Sequence, residues 1–392
     1  MRFILFISLC LDNESFHERK KRMREVMYDK FRSWIEIDLQ ALRYNVTQFL
    51  QVLKSEDQFM AVVKANAYGH GAVRVSKELN AMGITNFAVA TLSEAIELRE
   101  NGILGDILIL GYTNPSCAKY LYQYNLIQTI LDYSYAQSLQ KENISLRVHI
   151  AIDSGMHRLG ESIEHIDSLV RICQFSHLQV EGIFSHLCVC DEQSQESQEY
   201  TCYQIEQFQQ ILNQLKDKGC LFKKVHLLSS YGLVNYQDYI YDYVRMGILM
   251  YGVDSCFPKQ TIFDLKPVLS LKSKIAMIRD VKSHETIGYG RTYTTTKPMK
   301  IAVVPIGYAD GLPREFSNQG QVIVRGKFVS VIGRICMDQM MIDVSNIKDI
   351  QNNDIVTIIG DKQCIEDIAK QVHTISNELL SQIGFRLPKI YK

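Results

Sequence analysis

The chain carries no surplus of either charge: 43 basic residues stand against 43 acidic ones. It also lacks a long basic run with interleaved aromatics, so the electrostatic footprint of a nucleic-acid binder is missing and a small-molecule ligand fits better. Its 10 cysteines contain no Cys-x-x-Cys pair. Cys188-Val-Cys190 has no companions at zinc spacing, which favours reduced thiols in a cytosolic protein over a disulfide framework, and no metal is expected. No Gly-x-Gly-x-x-Gly follows a strand-like run, so a dinucleotide fold has no support. Internal repeats and low-complexity stretches are absent too. The apolar run at residues 3–11 is too short to span a bilayer, and with one preceding arginine and no small-x-small site it makes a poor signal peptide. The expectation is a cytoplasmic protein with neither a membrane nor a nucleic acid as partner.

What the chain does have is the stretch 61–71, Ala-Val-Val-Lys-Ala-Asn-Ala-Tyr-Gly-His-Gly. Residues 59–63 have the length and β-branching of a buried strand, which delivers the Lys64 amine to a partly desolvated rim where its pKa falls and it becomes nucleophilic. Tyr68 can reach a phosphate from the same loop, and Gly69 and Gly71 let the backbone approach a ligand. A lone lysine ending a strand is more often simply solvated; the eleven-residue context argues for chemistry.

A chain of 392 residues with 46% hydrophobic content exceeds what one core fills, so two domains are expected. Eight short apolar runs read as strands: 59–63, 87–90, 107–110, 127–131, 146–152, 180–185, 224–228 and 243–246. Segments with helical periodicity separate them, such as 93–102, stopped by Gly102, and 203–212. This alternation predicts a (β/α)8 barrel over residues 31–264. Lys64, Arg158, His186, Ser230 and Gly247 then fall at or just after strand ends, where barrels place their active sites. From residue 265 to 392 strands follow one another with little helix: 268–278, 300–305, 321–335, 340–344 and 355–359. That texture predicts a C-terminal antiparallel β domain with one late helical stretch, 364–383. Residues 1–30, which include a charged segment at 18–25, read as a dispensable leader, disordered or artefactual, with Met23 or Met27 as alternative starts.

The stretch 61–71 closely resembles the cofactor-lysine signature of the alanine racemases, a family with a barrel-type pyridoxal phosphate fold. The resemblance recurs at Trp-Ile-Glu-Ile-Asp-Leu (34–39), Ala-Leu-Arg-Tyr-Asn-Val (41–46), Asp-Ser-Gly-Met-His-Arg-Leu-Gly (153–160) and Phe-Ser-His-Leu (184–187). It continues at Val-Arg-Met-Gly-Ile-Leu-Met-Tyr-Gly (244–252), Gly-Tyr-Gly-Arg-Thr-Tyr (288–293), Pro-Ile-Gly-Tyr-Ala-Asp-Gly (305–311) and Gly-Arg-Ile-Cys-Met-Asp-Gln (333–339). It runs from about Ser33 to the C-terminus and implies that the strand at 34–39 pairs with the C-terminal domain.

The implied function is a pyridoxal phosphate-dependent interconversion of L- and D-alanine, supplying D-alanine for peptidoglycan. Reversing a stereocentre calls for two proton carriers on opposite faces, and the resemblance casts Lys64 and Tyr289 in these roles. A phenol is a poor base at neutral pH unless cations and hydrogen bonds stabilise phenolate. In the family, His186 contacts that tyrosine and relays to an arginine. The tyrosine reaches the barrel of the other subunit, which implies a homodimer with shared active sites. Arg245 matches the partner of the pyridine nitrogen. Tyr68, Ser230 and the backbone amides of Gly247 and Ile248 match the phosphate donors. Arg158 and the amide of Met337 match the carboxylate site, and Tyr308 matches the substrate entrance. Without the resemblance, Tyr289 reads equally as a surface aromatic, Arg245 as a barrel-rim ion pair and Tyr308 as β-domain packing; Cys336 reads as inert packing.

Three positions depart from the family pattern. Ala151 replaces a lysine whose carbamate orients the arginine at 158, so another anion has to serve. Phe385 replaces a tyrosine, implying the loss of a phosphate contact and a gate hydroxyl. Ser229 replaces an asparagine. Two alternatives remain: the same chemistry on another small amino acid such as serine, and a non-catalytic carrier that binds the cofactor through Lys64.

Overall fold

The computed structural model describes residues 30–256 and 261–392. The expected leader therefore lies, except for its last residue, outside the described residues. Strand β1 (Ser33–Ile37) is followed by the helix Leu39–Leu50, whose N-cap Asp38 accepts the amides of Gln40 and Ala41, both at 2.9 Å. Eight strands follow: β2 (Phe59–Val62), β3 (Asn86–Val89), β4 (Asp106–Ile109), β5 (Ile127–Ile130), β6 (Leu146–Asp153), β7 (Leu178–Phe184), β8 (Lys224–Ser229) and β9 (Tyr243–Met246). Each pairs in parallel with its successor. β9 pairs in parallel with β2, with Arg245 opposite Met60, and this closes the barrel.

The pleat decides which side chains face inward. Phe59 and Ala61 on β2, and Val63 just after it, join the core shared with the surrounding helices, while Met60 and Val62 pack inside the barrel with Ala88, Leu108, Ile127 and Tyr243. The interior is not wholly apolar. Arg147 on β6 bridges Asp106 at 2.9 Å and Glu181 at 2.8 Å, and above it His149 and His226 are fully buried side by side.

The C-terminal strands are β10 (Leu269–Lys274), β11 (Met277–Val281), β12 (Met299–Val304), β13 (Gln321–Val324), β14 (Lys327–Ser330), β15 (Met340–Asp343), β16 (Ile355–Ile359) and β17 (Lys389–Tyr391). One sheet runs β14-β13-β16-β10-β1-β17 and a second runs β11-β12-β15. β1 does pair with this part, antiparallel to β10 and parallel to β17. Every other pairing in these two sheets is antiparallel.

Three stretches, two strand-like and one helical, break where the sequence reads as continuous. Residues 268–278 split into β10 and β11 because the amides between them turn to different partners, Ile275 to the Asp354 carbonyl and Ala276 to that of Val303. Residues 321–335 contain a hairpin whose turn, Arg325-Gly326, has φ of 48° and 77°, the mirror-image geometry that tight hairpins need. Residues 364–383 form two helices, Ile365–Gln371 and Ser376–Gln382, separated where His373 takes a φ of 54°.

Asn45 ties the two parts together. Fully buried on the first helix, it donates to the carbonyls of Lys266 (2.8 Å) and Met250 (3.3 Å) and accepts the Lys266 amide at 2.8 Å. Asn45→Leu keeps the branched shape but takes away the partner of the Lys266 amide and of the Lys266 and Met250 carbonyls. It should cost about 3 kcal/mol, read as a lower urea midpoint at unchanged slope.

Candidate active site

A cavity of about 520 Å³ opens at the C-terminal end of the barrel strands, lined by Lys64, Tyr68, Arg158, His186, Ser230, Arg245, Gly247 and Ile248 among others. Chain order alone cannot explain this gathering. The closed barrel sets all the strand ends on one rim, and the β9–β2 seam puts the Lys64 loop beside Gly247.

Lys64 leaves β2 into an unusual turn. Ala65, Asn66, Ala67 and Tyr68 have φ between 50° and 54°, a run of left-handed residues without a glycine. Each costs about 1–2 kcal/mol relative to the right-handed form, so the surroundings must hold the turn in place. His70 does part of this: its Nδ1–H donates to the carbonyls of Ala67 and Tyr68, both at 2.8 Å, while its ring stacks on Tyr251. Burial lowers His70 to about 4, so it stays neutral. The Asn66 side chain accepts the Ala72 amide at 2.8 Å, and a Glu94 oxygen accepts the Ala65 amide at 2.7 Å. Burial, then Arg158, lowers the Lys64 amine; Glu94 opposes them and Arg245 adds to them. The result is a lysine whose neutral, nucleophilic form is more accessible than a solvated one's.

Beside it is a cradle for an anion. The Ser230 hydroxyl accepts the Gly247 amide at 2.9 Å, leaving its own proton to donate elsewhere. A Cβ added at Gly247 would come within 3.0 Å of the Tyr68 hydroxyl and 3.9 Å of Ser230 Oγ, so the bare glycine keeps this space open. Burial raises Tyr68 to about 12, so it remains a hydroxyl donor.

Arg245 is the buried cation of the site, and burial, then Arg158, brings it down to about 9, still charged at neutral pH. One terminal nitrogen donates to His226 Nδ1 at 2.8 Å. The other reaches the carbonyls of Ser185 (2.7 Å) and Leu227 (2.8 Å) and His186 Nδ1 (3.2 Å). Because a guanidinium only donates, the Nδ1 atoms of His186 and His226 must accept, which puts each proton on Nε2. His226 Nε2–H then donates to His149 Nδ1 at 2.9 Å. Burial and Arg245 hold His186 at about 3, and His226 also falls well below its ordinary value.

Tyr289, Tyr308 and Met337 do not line this cavity. They are 70%, 42% and 53% exposed on the C-terminal part, where the Tyr308 amide donates to the Cys336 carbonyl and that of Ala309 to Met337. Ala151 does line the cavity, and so does Asp191, a carboxylate overlooked in the sequence. Phe385 is 95% exposed and does not line the cavity. The C-terminal segment contributes Ile375 and Asn377 instead, and the Asn377 side chain accepts from Ser255 at 3.2 Å. Nothing in the local pattern marks these two. His149 and His226 could have been found, as polar residues at inward positions of apolar strands.

Fold and site together define a barrel protein with a rim lysine, an anion cradle and an attached β region. The alanine racemase N-terminal domain model matches residues 37–255 and the C-terminal domain model residues 268–391. The chain belongs to the alanine racemase family. It is 40% identical to an amino-acid racemase of Enterococcus faecalis over 94% of this chain but 53% of that protein, so it spans about half the length of that relative. It is also 40% identical to alanine racemase 1 of Oceanobacillus iheyensis, over 92% of this chain and 98% of the other. A crystal structure of alanine racemase from Bartonella henselae with covalently bound pyridoxal phosphate superposes with a TM-score of 0.83 at 29% identity, covering 92% of this chain and 100% of that one.

Gly247→Ala places a methyl group against the Tyr68 hydroxyl. Titration calorimetry with inorganic phosphate should show affinity reduced about tenfold or more, with the melting temperature nearly unchanged.

Proposed function

We propose that the protein is a pyridoxal phosphate-dependent racemase that interconverts L- and D-alanine, a cytoplasmic enzyme supplying D-alanine for peptidoglycan. The observation that carries this reading is the meeting of a pKa-lowered lysine with an anion cradle in one cavity. The donor set suits the cofactor: Lys64 would hold it through Nζ, Tyr68, Ser230 and the backbone of Gly247 and Ile248 would hold its phosphate, and Arg245 would serve its ring nitrogen. When bound, pyridoxal phosphate supplies the electron sink that makes the α-proton of an amino acid removable.

The remaining chemistry belongs to the chain. Arg158 and the amide of Met337 bind the substrate carboxylate, Tyr308 guards its approach, and Lys64 Nζ moves the α-proton on one face. Tyr289 moves it on the other face, from the partner protomer of a homodimer; its exposure supports that role. A neutral His186 with its proton on Nε2 can donate a hydrogen bond to that phenol and favour its ionised form. Arg245, still a cation at neutral pH despite its burial, would disfavour a proton on the ring nitrogen and so limit side reactions. The two units are residues 31–264 and 265–392. No helix among the described residues is long and apolar enough to cross a membrane.

The test is incubation of the holoenzyme with L-alanine, and separately L-serine, in deuterated water, followed by chiral chromatography. α-Deuterated D-alanine should appear well ahead of D-serine, and Lys64→Ala and Tyr289→Phe should each abolish it. Serine is included because the Enterococcus faecalis relative carries the broader name; faster D-serine would reassign the substrate. A cofactor band without deuterium exchange would mean a carrier.

Shared sites make a second prediction. Mixing inactive Lys64→Ala and Tyr289→Phe subunits should restore about a quarter of wild-type activity, since half the random dimers would hold one intact site each. No recovery would place both residues within one subunit.

A further inference from the structure

Glu94 begins as an ordinary helix cap. It is the third residue of the helix Leu92–Glu100, and its amide donates to the Thr91 hydroxyl at 3.3 Å. One carboxylate oxygen accepts the amides of Ala90 at 2.8 Å and Thr91 at 3.1 Å, completing a capping box at the end of β3. A capping box needs nothing more. Yet the other oxygen leaves the helix and accepts the amide of Ala65 at 2.7 Å, the shortest of these bonds. Ala65 is the first residue of the left-handed turn and the immediate successor of Lys64.

That amide belongs to the peptide plane joining Lys64 to Ala65. The preceding residue is fixed from β3, where the Ala88 carbonyl accepts the Val63 amide at 2.9 Å. With the strand anchored on one side and the peptide plane on the other, the Lys64 backbone keeps one orientation, and so does the bond that launches its side chain. Without the carboxylate the Ala65 amide loses this acceptor, and the strain of four left-handed residues favours relaxation of the loop. His70 and Asn66 grip only the later part of the turn.

We propose that Glu94 is a positioning residue for Lys64: by bridging the Ala65 amide to those of Ala90 and Thr91, it holds the start of the left-handed turn and aims the lysine amine into the cavity. This rests on the reading of Lys64 as the cofactor-binding residue. The negative charge also favours the protonated amine, against the burial and the arginines that lower it. Aim and charge therefore act in opposite directions on the reactivity of the amine, which allows them to be separated.

The experiment measures how fast cofactor-free full-length protein captures pyridoxal phosphate, followed in the visible band of the lysine-bound cofactor. Glu94→Leu removes both the acceptor and the charge and should slow capture about tenfold or more. Glu94→Gln keeps an acceptor oxygen and should recover part of that loss. Thr91→Ala removes the cap hydroxyl alone and should lower the melting temperature while leaving the capture rate within about twofold of wild type. Wild-type rates in folded Glu94→Leu would overturn the assignment. So would failure of both Glu94 variants to fold, since the residue would then serve folding and not aim. If wild-type protein captures no cofactor at all, the proposed function fails instead.

Discussion

The pairing of the last barrel strand with the first is the constraint on which the rest of the molecule depends. Val244, Arg245 and Met246 lie in parallel register with Phe59, Met60 and Ala61, and this seam turns an open sheet into a barrel. It also sets the two ends of a long chain segment side by side, so that Lys64 and Tyr68, after β2, line one cavity with Gly247 and Ile248, after β9. Tyr251 reinforces the join: its hydroxyl donates to the Val62 carbonyl at 3.0 Å, and its ring packs on Tyr68 and His70. Because every barrel strand is parallel, all the strand ends reach the same rim. A site can then be assembled from short loops that share no local sequence.

Within that rim the electrostatics follow from burial. Arg245 spends its terminal donors on carbonyls and neutral imidazoles, none of which cancels its charge. The buried histidines cannot become charged beside it, so each has a fixed tautomer, and the direction of the chain from Arg245 through His226 to His149 is determined. At the other end of the barrel, Arg147 is matched by Asp106 and Glu181. The contrast separates an ion cluster that closes the interior from a buried cation whose hydrogen-bond partners carry no charge.

The barrel strands were legible because fully buried strands read as short runs of β-branched and aliphatic residues, and all eight lie within about two residues of their expected limits. The C-terminal part was harder. The strand-like runs at 268–278 and 321–335 and the helical stretch at 364–383 conceal breaks set by the pairing of Ile275 and Ala276, by the turn at Arg325-Gly326 and by the backbone of His373. Of these breaks only the Arg325-Gly326 turn carries a local signal, its glycine; Ile275 and Ala276 are ordinary strand residues, and a single histidine does not mark a helix end. The left-handed turn after Lys64 escaped notice for the same reason: alanine and tyrosine do not announce it.

By itself the sequence determined the alternation of strands and helices, the lysine at the end of the first barrel strand, and a set of motifs whose order specifies a family. These are local or linear properties, and hydrophobic periodicity and motif spacing carry them directly. Tertiary structure alone decided that Asn377 lines the cavity while Phe385 faces solvent, that Glu94 reaches across a barrel groove to the Ala65 amide, and that Tyr289 lies on an exposed surface away from Lys64. The physical reason is that each depends on which distant backbone a side chain meets once the barrel has closed, and no window of sequence contains both partners.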